Sequence, residues 1–186
     1  MVKKIVITGG LGYIGTELCK IYSGLSWHHK IIVIDNRFIS ERVNQIQKWN
    51  MEFIHGDILD RELVNKYFKD ADVVHHLAGI TDVPRTKSEA SKEKDEKINL
   101  VGEKGTQNIL DAISDKCKII FPSTHVVYEG INQVKTNIQE DEETKPVLSY
   151  SSSKAVNEKQ LKNSGKNYII LRLGSVYGYS TDTARI

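Results

Sequence analysis

The sequence is poor in cysteine and has no excess of charge of either sign. Only Cys19 and Cys117 occur among its 186 residues, and neither belongs to a CxxC pair. This pattern offers no framework for disulfides or a structural zinc site, and it fits a reducing cytoplasm. The 26 basic and 24 acidic side chains leave a formal charge of +2. Such a balance is not that of a nucleic-acid-binding or polybasic membrane-surface protein.

Long apolar runs are also absent. The first residues, MVKKIVITGG, contain too few apolar residues before the glycines for the apolar region of a signal peptide. No stretch approaches the length of a transmembrane helix. There is no internal repeat, and with 39% hydrophobic residues a chain of this size can bury one core without disulfides or metal. Neither nucleic acid nor a membrane is therefore expected as a partner.

Short β-branched runs alternate with stretches of helical apolar spacing. The predicted strands are residues 4–8, 30–35, 51–55, 72–77, 118–121 and 168–173, and the predicted helices are residues 13–22, 60–68, 98–113 and 150–161. Strands that alternate with helices indicate a parallel sheet, and nearly all-apolar strands indicate helices on both faces. The polar stretches 86–97 and 135–145 are expected at the surface. The sequence therefore predicts a doubly wound α/β fold.

A glycine-rich turn, TGGLGYIG, follows the first strand and opens the first helix. Gly9 and Gly12 allow the backbone to approach a pyrophosphate closely, and Gly15 lets the helix lie against the sheet. The pyrophosphate would lie on the helix N-terminus, where Tyr13 and Ile14 form the first turn. The order of strand, glycine turn and helix is that of a Rossmann-type dinucleotide-binding unit.

Asp35 ends the second strand about twenty residues after the last glycine, as the dinucleotide fingerprint requires. Its carboxylate can accept both hydroxyl groups of a ribose, whereas a 2′-phosphate there would meet like charge. Taken alone, an acid at a strand end is a turn residue, and Arg37 could instead pair with a phosphate. The spacing from the glycines favours the cofactor role. NAD is therefore expected rather than NADP, with Asn36 as a further cofactor-binding residue.

Tyr150 and Lys154 stand four residues apart in a predicted helix. Residues at that spacing share one helix face, about 5–6 Å apart at Cβ. A tyrosine with the ordinary pKa of about 10 is a poor base at neutral pH, but a fixed ammonium beside it stabilises the phenolate. YxxxK by itself also occurs by chance in many helices. Upstream, Ser123 and Thr124 place hydroxyls after a strand, at the edge where open α/β sheets bind ligands.

Together these features resemble the extended short-chain dehydrogenases/reductases. Eight motifs follow in the family's order: TGGLGYIG, Asp35, HGDI at 55–58, HLAG at 76–79, Asn99, STHVVY at 123–128, the Tyr150/Lys154 pair and RLGSVYG at 172–178. The glycine turn and YxxxK are individually diagnostic. Within this family, the chain is most similar to the NAD-dependent epimerase/dehydratase group, typified by UDP-glucose 4-epimerase.

The resemblance implies NAD as cofactor and assigns further residues to it. Asp57 and Ile58 would flank the adenine. Leu77, Ala78 and Gly79 would line the pyrophosphate and ribose. The resemblance also implies that Asn99 binds the cofactor and helps to organise the central helix, and that Tyr150 and Lys154 contact the cofactor as well.

For catalysis, the resemblance implies hydride chemistry on a nucleotide-sugar substrate, a UDP- or other NDP-hexose. Tyr150 would remove a hydroxyl proton as hydride passes to NAD, Lys154 would anchor the ribose and support the phenolate, and Thr124 would hold the resulting ketone. In an epimerase the ketone rotates and takes the hydride back on its other face. Ser123 is the alternative hydroxyl at this position.

The sequence departs from the family pattern at two places. The related 4,6-dehydratases have an Asp-Glu pair after the threonine, whereas this chain has His125 and Val126, which disfavours a dehydratase. Tyr179 replaces the proline that usually follows the RLGSVYG glycine, so the loop geometry there is open. The adjacent histidines at 28–29 and 75–76 do not predict a metal site, because neighbours on a strand point to opposite faces.

The leading interpretation is an NAD-dependent sugar-nucleotide epimerase. The alternatives are an NAD(P)-dependent reductase of a keto-sugar or other carbonyl substrate, and a dinucleotide-binding module without turnover. The resemblance implies a homodimer. We expect residues 1–178 to form the NAD-binding domain with its catalytic residues, and residues 179–186 to begin a truncated substrate-binding region. On that expectation the chain binds NAD without catalysing sugar chemistry.

Overall fold

The computed structural model describes residues 1–81, 91–133 and 135–178. Within them, six parallel strands form one sheet in the order β3-β2-β1-β4-β5-β6. The strands are β1 Lys4–Thr8, β2 Lys30–Asp35, β3 Glu52–His55, β4 Val73–His76, β5 Lys118–Thr124 and β6 Asn167–Leu173. The strand order reverses between β1 and β4, which creates a crevice at the carboxyl ends of the strands.

The helices are α1 Tyr13–Tyr22, α2 Ser40–Lys48, α3 Arg61–Phe68, α4 Lys92–Asn99, α5 Gly105–Ala112 and α6 Ser149–Asn163. A π-helical segment, Leu100–Lys104, joins α4 to α5, and a 3-10 helix, His125–Tyr128, follows β5. In the described residues, no helix is both long and apolar enough to cross a membrane.

Two apolar clusters fill the two faces of the sheet. Ile5 and Ile7 of β1 pack on one face with Cys19 of α1 and residues of α2. Val6, between them in the chain, packs on the other face with residues of α3, α5 and α6, including Leu161. This alternation follows from the two-residue period of a strand. The predicted doubly wound sheet with helices on both faces is confirmed.

Three local predictions need correction. Helix α2 was not predicted, because only Val43 and Ile46 are buried in an otherwise polar segment. The predicted helix 98–113 starts earlier, at Lys92, and contains the π-helical segment. Strand β5 extends past residue 121 to Thr124, through Pro122. Since β4 pairs with β5 only as far as Ile120, Pro122 lies beyond that ladder and breaks no hydrogen bond in it.

Candidate functional site

A cleft of about 1250 Å³ opens at the carboxyl ends of β1, β2 and β4. The residues predicted to bind a cofactor that line it are Gly9, Gly12, Tyr13, Ile14, Gly15, Asp35, Asn36, Asp57, Ile58, Leu77, Ala78 and Gly79. The structure thus brings together predicted residues from four separate segments. The cleft is large enough for an extended dinucleotide, because ligand pockets commonly measure about 300–1,000 Å³.

The glycine turn lets the start of α1 lie directly against the backbone of the turn. Gly9 has φ +66°, and a Cβ at Gly15 would lie 2.3 Å from the Gly9 carbonyl oxygen. Any side chain at Gly15 would therefore push α1 away from the turn. This packing explains why glycine is needed at both positions.

The start of α1 fits a pyrophosphate. The first intrahelical hydrogen bond of α1 is donated by Thr16 N to Gly12 O at 2.9 Å. The N–H groups of Tyr13, Ile14 and Gly15 come before it and have no acceptor within the helix. No side chain caps this end, and its first turn contains no acid. Such N–H groups, together with the helix dipole, favour an anion. These residues therefore fit the diphosphate of a dinucleotide.

Asp35 lies at the end of β2 and is buried. Its Oδ2 accepts a hydrogen bond from Leu11 N at 2.9 Å, and its Oδ1 accepts one from Arg37 N at 3.0 Å. The Arg37 side chain pairs with the same carboxylate, with Nε 3.2 Å from Oδ1. Asp35 thus joins the glycine turn to the following loop, with its carboxylate at the cleft wall.

The segment after β3 forms the next part of the wall. Asp57 accepts hydrogen bonds from Asn36 Nδ2 at 3.0 Å and from Leu59 N at 2.9 Å. Ile58 is buried, and a Cβ at Gly105 would lie 2.4 Å from its Cδ1. Gly105 therefore lets α5 approach Ile58 closely enough to fix its apolar side chain beside the cleft.

The segment Leu77–Gly79 is held in place by a buried chain of hydrogen bonds. Thr8 Oγ1 accepts from Ala78 N at 3.0 Å and lies 3.0 Å from His76 Nδ1, while His76 Nε2 lies 3.0 Å from Thr106 Oγ1. Burial, followed by the charge of Lys154, lowers the pKa of His76 to about 3. The imidazole is therefore neutral at physiological pH. We assign its proton to Nε2, so that the Thr8 hydroxyl donates to Nδ1.

Tyr150 and Lys154 lie on α6, next to the end of β5. Lys154 Nζ donates to Pro122 O at 3.0 Å, and it lies 4.5 Å from the Phe121 ring centroid and 5.9 Å from the Tyr150 ring centroid. Burial lowers the pKa of Lys154 to about 8, which still leaves it mainly protonated at pH 7. The helix therefore presents a buried cation beside the Tyr150 ring, as the sequence spacing predicts.

The two hydroxyls at the end of β5 have different partners. Ser123 Oγ donates to Glu158 Oε1 at 2.6 Å, and Glu158 also receives two hydrogen bonds from the Arg172 guanidinium, at 2.9 Å and 2.6 Å. Thr124 Oγ1 accepts only a 3.3 Å bond from Val126 N among the described residues, which leaves its proton free to donate. The structure thus favours Thr124 over Ser123 as the reactive hydroxyl.

Some predicted residues lie apart from the cleft lining. Thr124, Tyr150 and Lys154 are not among the lining residues, and neither is Asn99, which is half-buried at the end of α4. Tyr179 and residues 179–186 lie outside the described residues. His125 is exposed, with Nδ1 3.2 Å from Leu173 O.

Several lining residues were not predicted. They are Ile34, Gly56, Leu59, Ile80, Thr81, Lys94, Lys97, Leu100, Val101, Val176, Tyr177 and Gly178. Most are apolar or small, and they lie near predicted site residues or within the HGDI and RLGSVYG motifs, so proximity to the motifs is the only sequence signal for them. In the described part of the chain, no group of three or more His, Cys, Asp or Glu residues could hold a metal ion.

The strand order, the glycine turn and the acid after β2 define a dinucleotide-binding domain of the Rossmann class. The chain belongs to the NAD dependent epimerase/dehydratase family, whose pattern it matches over residues 5–186. The family suspected from the motifs is therefore confirmed.

The chain is similar to enzymes of known activity. It is 30% identical to a UDP-glucose 4-epimerase of Neisseria meningitidis serogroup C, over 87% of this chain and 48% of that protein. A UDP-N-acetylglucosamine 4-epimerase from Methanobrevibacter ruminantium M1, solved with UDP-N-acetylmuramic acid, is 31% identical over 92% of this chain and 54% of that one, with a TM-score of 0.74. A UDP-glucuronic acid 4-epimerase from Bacillus cereus, solved with NAD, is 28% identical over 94% of this chain and 57% of that one, also with a TM-score of 0.74. The chain spans about half the length of these relatives.

Proposed function

We propose that this protein is an NAD-dependent sugar-nucleotide epimerase. The main support for this proposal is the position of Lys154. Its buried ammonium donates a hydrogen bond to Pro122 O in the strand that ends in Thr124, and it lies beside the Tyr150 ring. This arrangement supports a role in proton transfer in addition to cofactor binding. The relatives with sugar-nucleotide epimerase activity support the same reaction class.

The cleft residues would hold the cofactor. The N–H groups at the start of α1 would bind the pyrophosphate, Asp35 would accept the ribose hydroxyls, and Ile58 would pack against the adenine. Bound NAD supplies reversible two-electron oxidation of a carbinol carbon. The buried chain from Thr8 to His76 would keep Ala78 and Gly79 at a fixed distance from that cofactor.

The catalytic residues move and hold a proton. Tyr150 takes the proton of the substrate hydroxyl at its phenolic oxygen, and the Lys154 ammonium stabilises the phenolate that the transfer requires. Thr124 donates its free hydroxyl proton toward the substrate oxygen, which then carries carbonyl character. The same residues return the proton when the carbon is reduced on its other face.

The substrate class is a UDP- or other NDP-hexose, because the relatives bind or act on such compounds. His125 and Val126 occupy the positions where an acid and a base would serve water elimination, and this supports epimerisation over dehydration. We propose a homodimer on the family resemblance. The two buried free thiols, Cys19 and Cys117, agree with a reducing cytoplasm.

A turnover assay with substoichiometric NAD tests this proposal. The full protein is incubated with UDP-glucose, UDP-N-acetylglucosamine and UDP-glucuronic acid, and the C4 epimers are separated by chromatography. Interconversion without accumulation of NADH supports an epimerase. Stoichiometric consumption of NAD or NADH indicates a dehydrogenase or reductase instead. Absence of turnover together with tight NAD binding supports a non-catalytic module.

A further inference from the structure

The hydrogen-bonding capacity of the Asp35 carboxylate is already used within the chain. Oδ1 accepts from Arg37 N at 3.0 Å and from Arg37 Nε at 3.2 Å, and Oδ2 accepts from Leu11 N at 2.9 Å and from Arg37 Nη2 at 3.4 Å. A carboxylate offers about four lone-pair positions. All four are therefore occupied, and none remains for the two hydroxyl groups of a ribose.

The four donors differ in how easily a ligand can displace them from the Asp35 carboxylate. Leu11 N and Arg37 N belong to the backbone of the glycine turn and of the loop after β2, so they are fixed by the fold. The two side-chain contacts of Arg37 are the longer ones, and the Arg37 side chain is 48% exposed. The Asp35 carboxylate is itself buried, so the guanidinium can leave at low cost only when the ribose hydroxyls replace its hydrogen bonds. The guanidinium is therefore the only donor that a ligand can displace cheaply.

The Arg37 guanidinium also lies close to Gly12 of the glycine turn. Arg37 Nη2 is 3.6 Å from the position that a Cβ at Gly12 would occupy, and Arg37 and Gly12 line the same cleft. Gly12 directly precedes α1, whose free N–H groups face the cleft. The side chain thus covers the space between the ribose-binding acid and the start of that helix.

We propose that Arg37 is an internal competitor for the ribose-binding carboxylate. Its guanidinium holds the two acceptor positions that the 2′- and 3′-hydroxyls of an adenosine ribose need, and it turns away when the cofactor binds. This inference rests on the proposed assignment of Asp35 to the cofactor ribose. It makes Arg37 a determinant of cofactor affinity that works against binding, although its charge is opposite to that of the cofactor.

The test removes the competing side chain and varies the ribose of the ligand. Arg37→Ala keeps the backbone N–H bond to Asp35 and frees the two side-chain positions. Calorimetric titration should show NAD binding about three- to tenfold more tightly to this variant, and adenosine should gain by a similar factor, since it has the ribose but no phosphate. 2′,3′-Dideoxyadenosine, which lacks both hydroxyls, should show no gain.

Arg61→Ala is the matched control. Arg61 is exposed and pairs with Asp111 at 3.6 Å, and it does not line the cleft, so this variant removes one positive charge without touching Asp35. Its NAD affinity should match that of the unmodified protein.

Three outcomes would overturn the inference alone. Weaker NAD binding with unchanged adenosine binding in Arg37→Ala would make Arg37 a phosphate contact. An equal gain for the dideoxy compound would mean that the variant merely widens the cleft. Unchanged affinities would show that Arg37 does not compete. Failure of the unmodified protein to bind NAD at all would overturn the proposed function together with this inference, whereas the three outcomes above leave the proposed function intact.

Discussion

Lys154 Nζ donates a hydrogen bond to the carbonyl oxygen of Pro122 at 3.0 Å, which ties the centre of α6 to the strand that ends in Thr124. The contact fixes a buried ammonium between the two elements that carry Thr124 and Tyr150. A buried cation whose pKa is lowered by desolvation costs folding free energy, so its presence points to a function other than stability.

Replacing Lys154 with methionine should therefore stabilise the fold. The pKa of Lys154 lies near 8, and the unfolded state, with an ordinary lysine pKa of about 10.4, binds the proton more tightly at neutral pH. After allowance for the lost bond to Pro122, Lys154→Met should raise the free energy of unfolding at pH 7 by about 1–2 kcal/mol. Urea denaturation measures this. Lys159→Met, on the exposed side of α6, is the control, and a destabilised Lys154→Met protein would contradict the prediction.

Tyr150→Phe should abolish turnover and leave NAD affinity almost unchanged. The substitution removes the proton acceptor but keeps the ring beside Lys154. Turnover of a UDP-hexose should fall by at least about 100-fold, the scale of a lost general base, while the calorimetric Kd for NAD stays within about twofold. A variant that retains the unmodified rate would exclude Tyr150 as the base.

Thr124→Val and Ser123→Ala should have different effects on turnover. Thr124→Val keeps the side-chain shape and removes a free donor, so kcat should fall by about 100-fold. Ser123 already donates to Glu158, and Ser123→Ala should instead lower the free energy of unfolding by about 1 kcal/mol with kcat nearly unchanged. A larger loss of kcat for Ser123→Ala would reverse the assignment.

The unmodified protein should bind NAD more tightly than NADP, and Asp35→Ala should narrow the difference. The substitution removes the like charge that a 2′-phosphate would meet, and it releases the Arg37 side chain from its pair. Parallel titrations with both cofactors measure the ratio of the two Kd values. Equal affinities of the unmodified protein for NAD and NADP would mean that Arg37, not Asp35, dominates recognition of the ribose.

Stability should fall as the pH drops from 7 to 5. The folded pKa of His76 is about 3, below the unfolded value of about 6.5, so below pH 6.5 the unfolded state binds the proton that the folded state excludes. His76 alone should lower the free energy of unfolding by about 2 kcal/mol between pH 7 and pH 5. Burial also lowers the pKa of His75, which acts in the same direction. His76→Gln should show a shallower dependence, and an equal slope in the variant would contradict the assignment.

The sequence predicts the parts of this structure that depend on local pattern. The bounds of β1, α1 and β2 agree with the apolar periodicity and the glycine turn, because both act within a few residues. Helix α2 was not predicted because its buried side chains are too few to produce a period. The π-helical segment packs closely against α6, where a Cβ at Gly102 would lie 2.1 Å from Ser153 Oγ. Such a contact between distant segments leaves no local signal.

In the candidate site, too, the sequence predicts what depends on local spacing and does not predict contacts between side chains. The spacing from the glycines is enough to assign Asp35 to the cofactor ribose. The hydrogen bonds from the Arg37 side chain to the Asp35 carboxylate, by contrast, depend on a side-chain conformation that no motif encodes. The resemblance already implies Thr124 as the hydroxyl that holds the ketone, with Ser123 as the alternative. What the sequence does not show is that Glu158, 35 residues further along the chain, accepts the Ser123 proton.

The most direct test of the proposed function is to follow a UDP-hexose and its C4 epimer with the full protein, its Tyr150→Phe variant and a trace of NAD, using proton NMR of the anomeric signals. We expect that either epimer approaches the same equilibrium mixture with the unmodified protein, that NADH does not accumulate, and that the variant shows no conversion. Conversion by the Tyr150→Phe variant at the unmodified rate, or NADH formed in proportion to product, would contradict it.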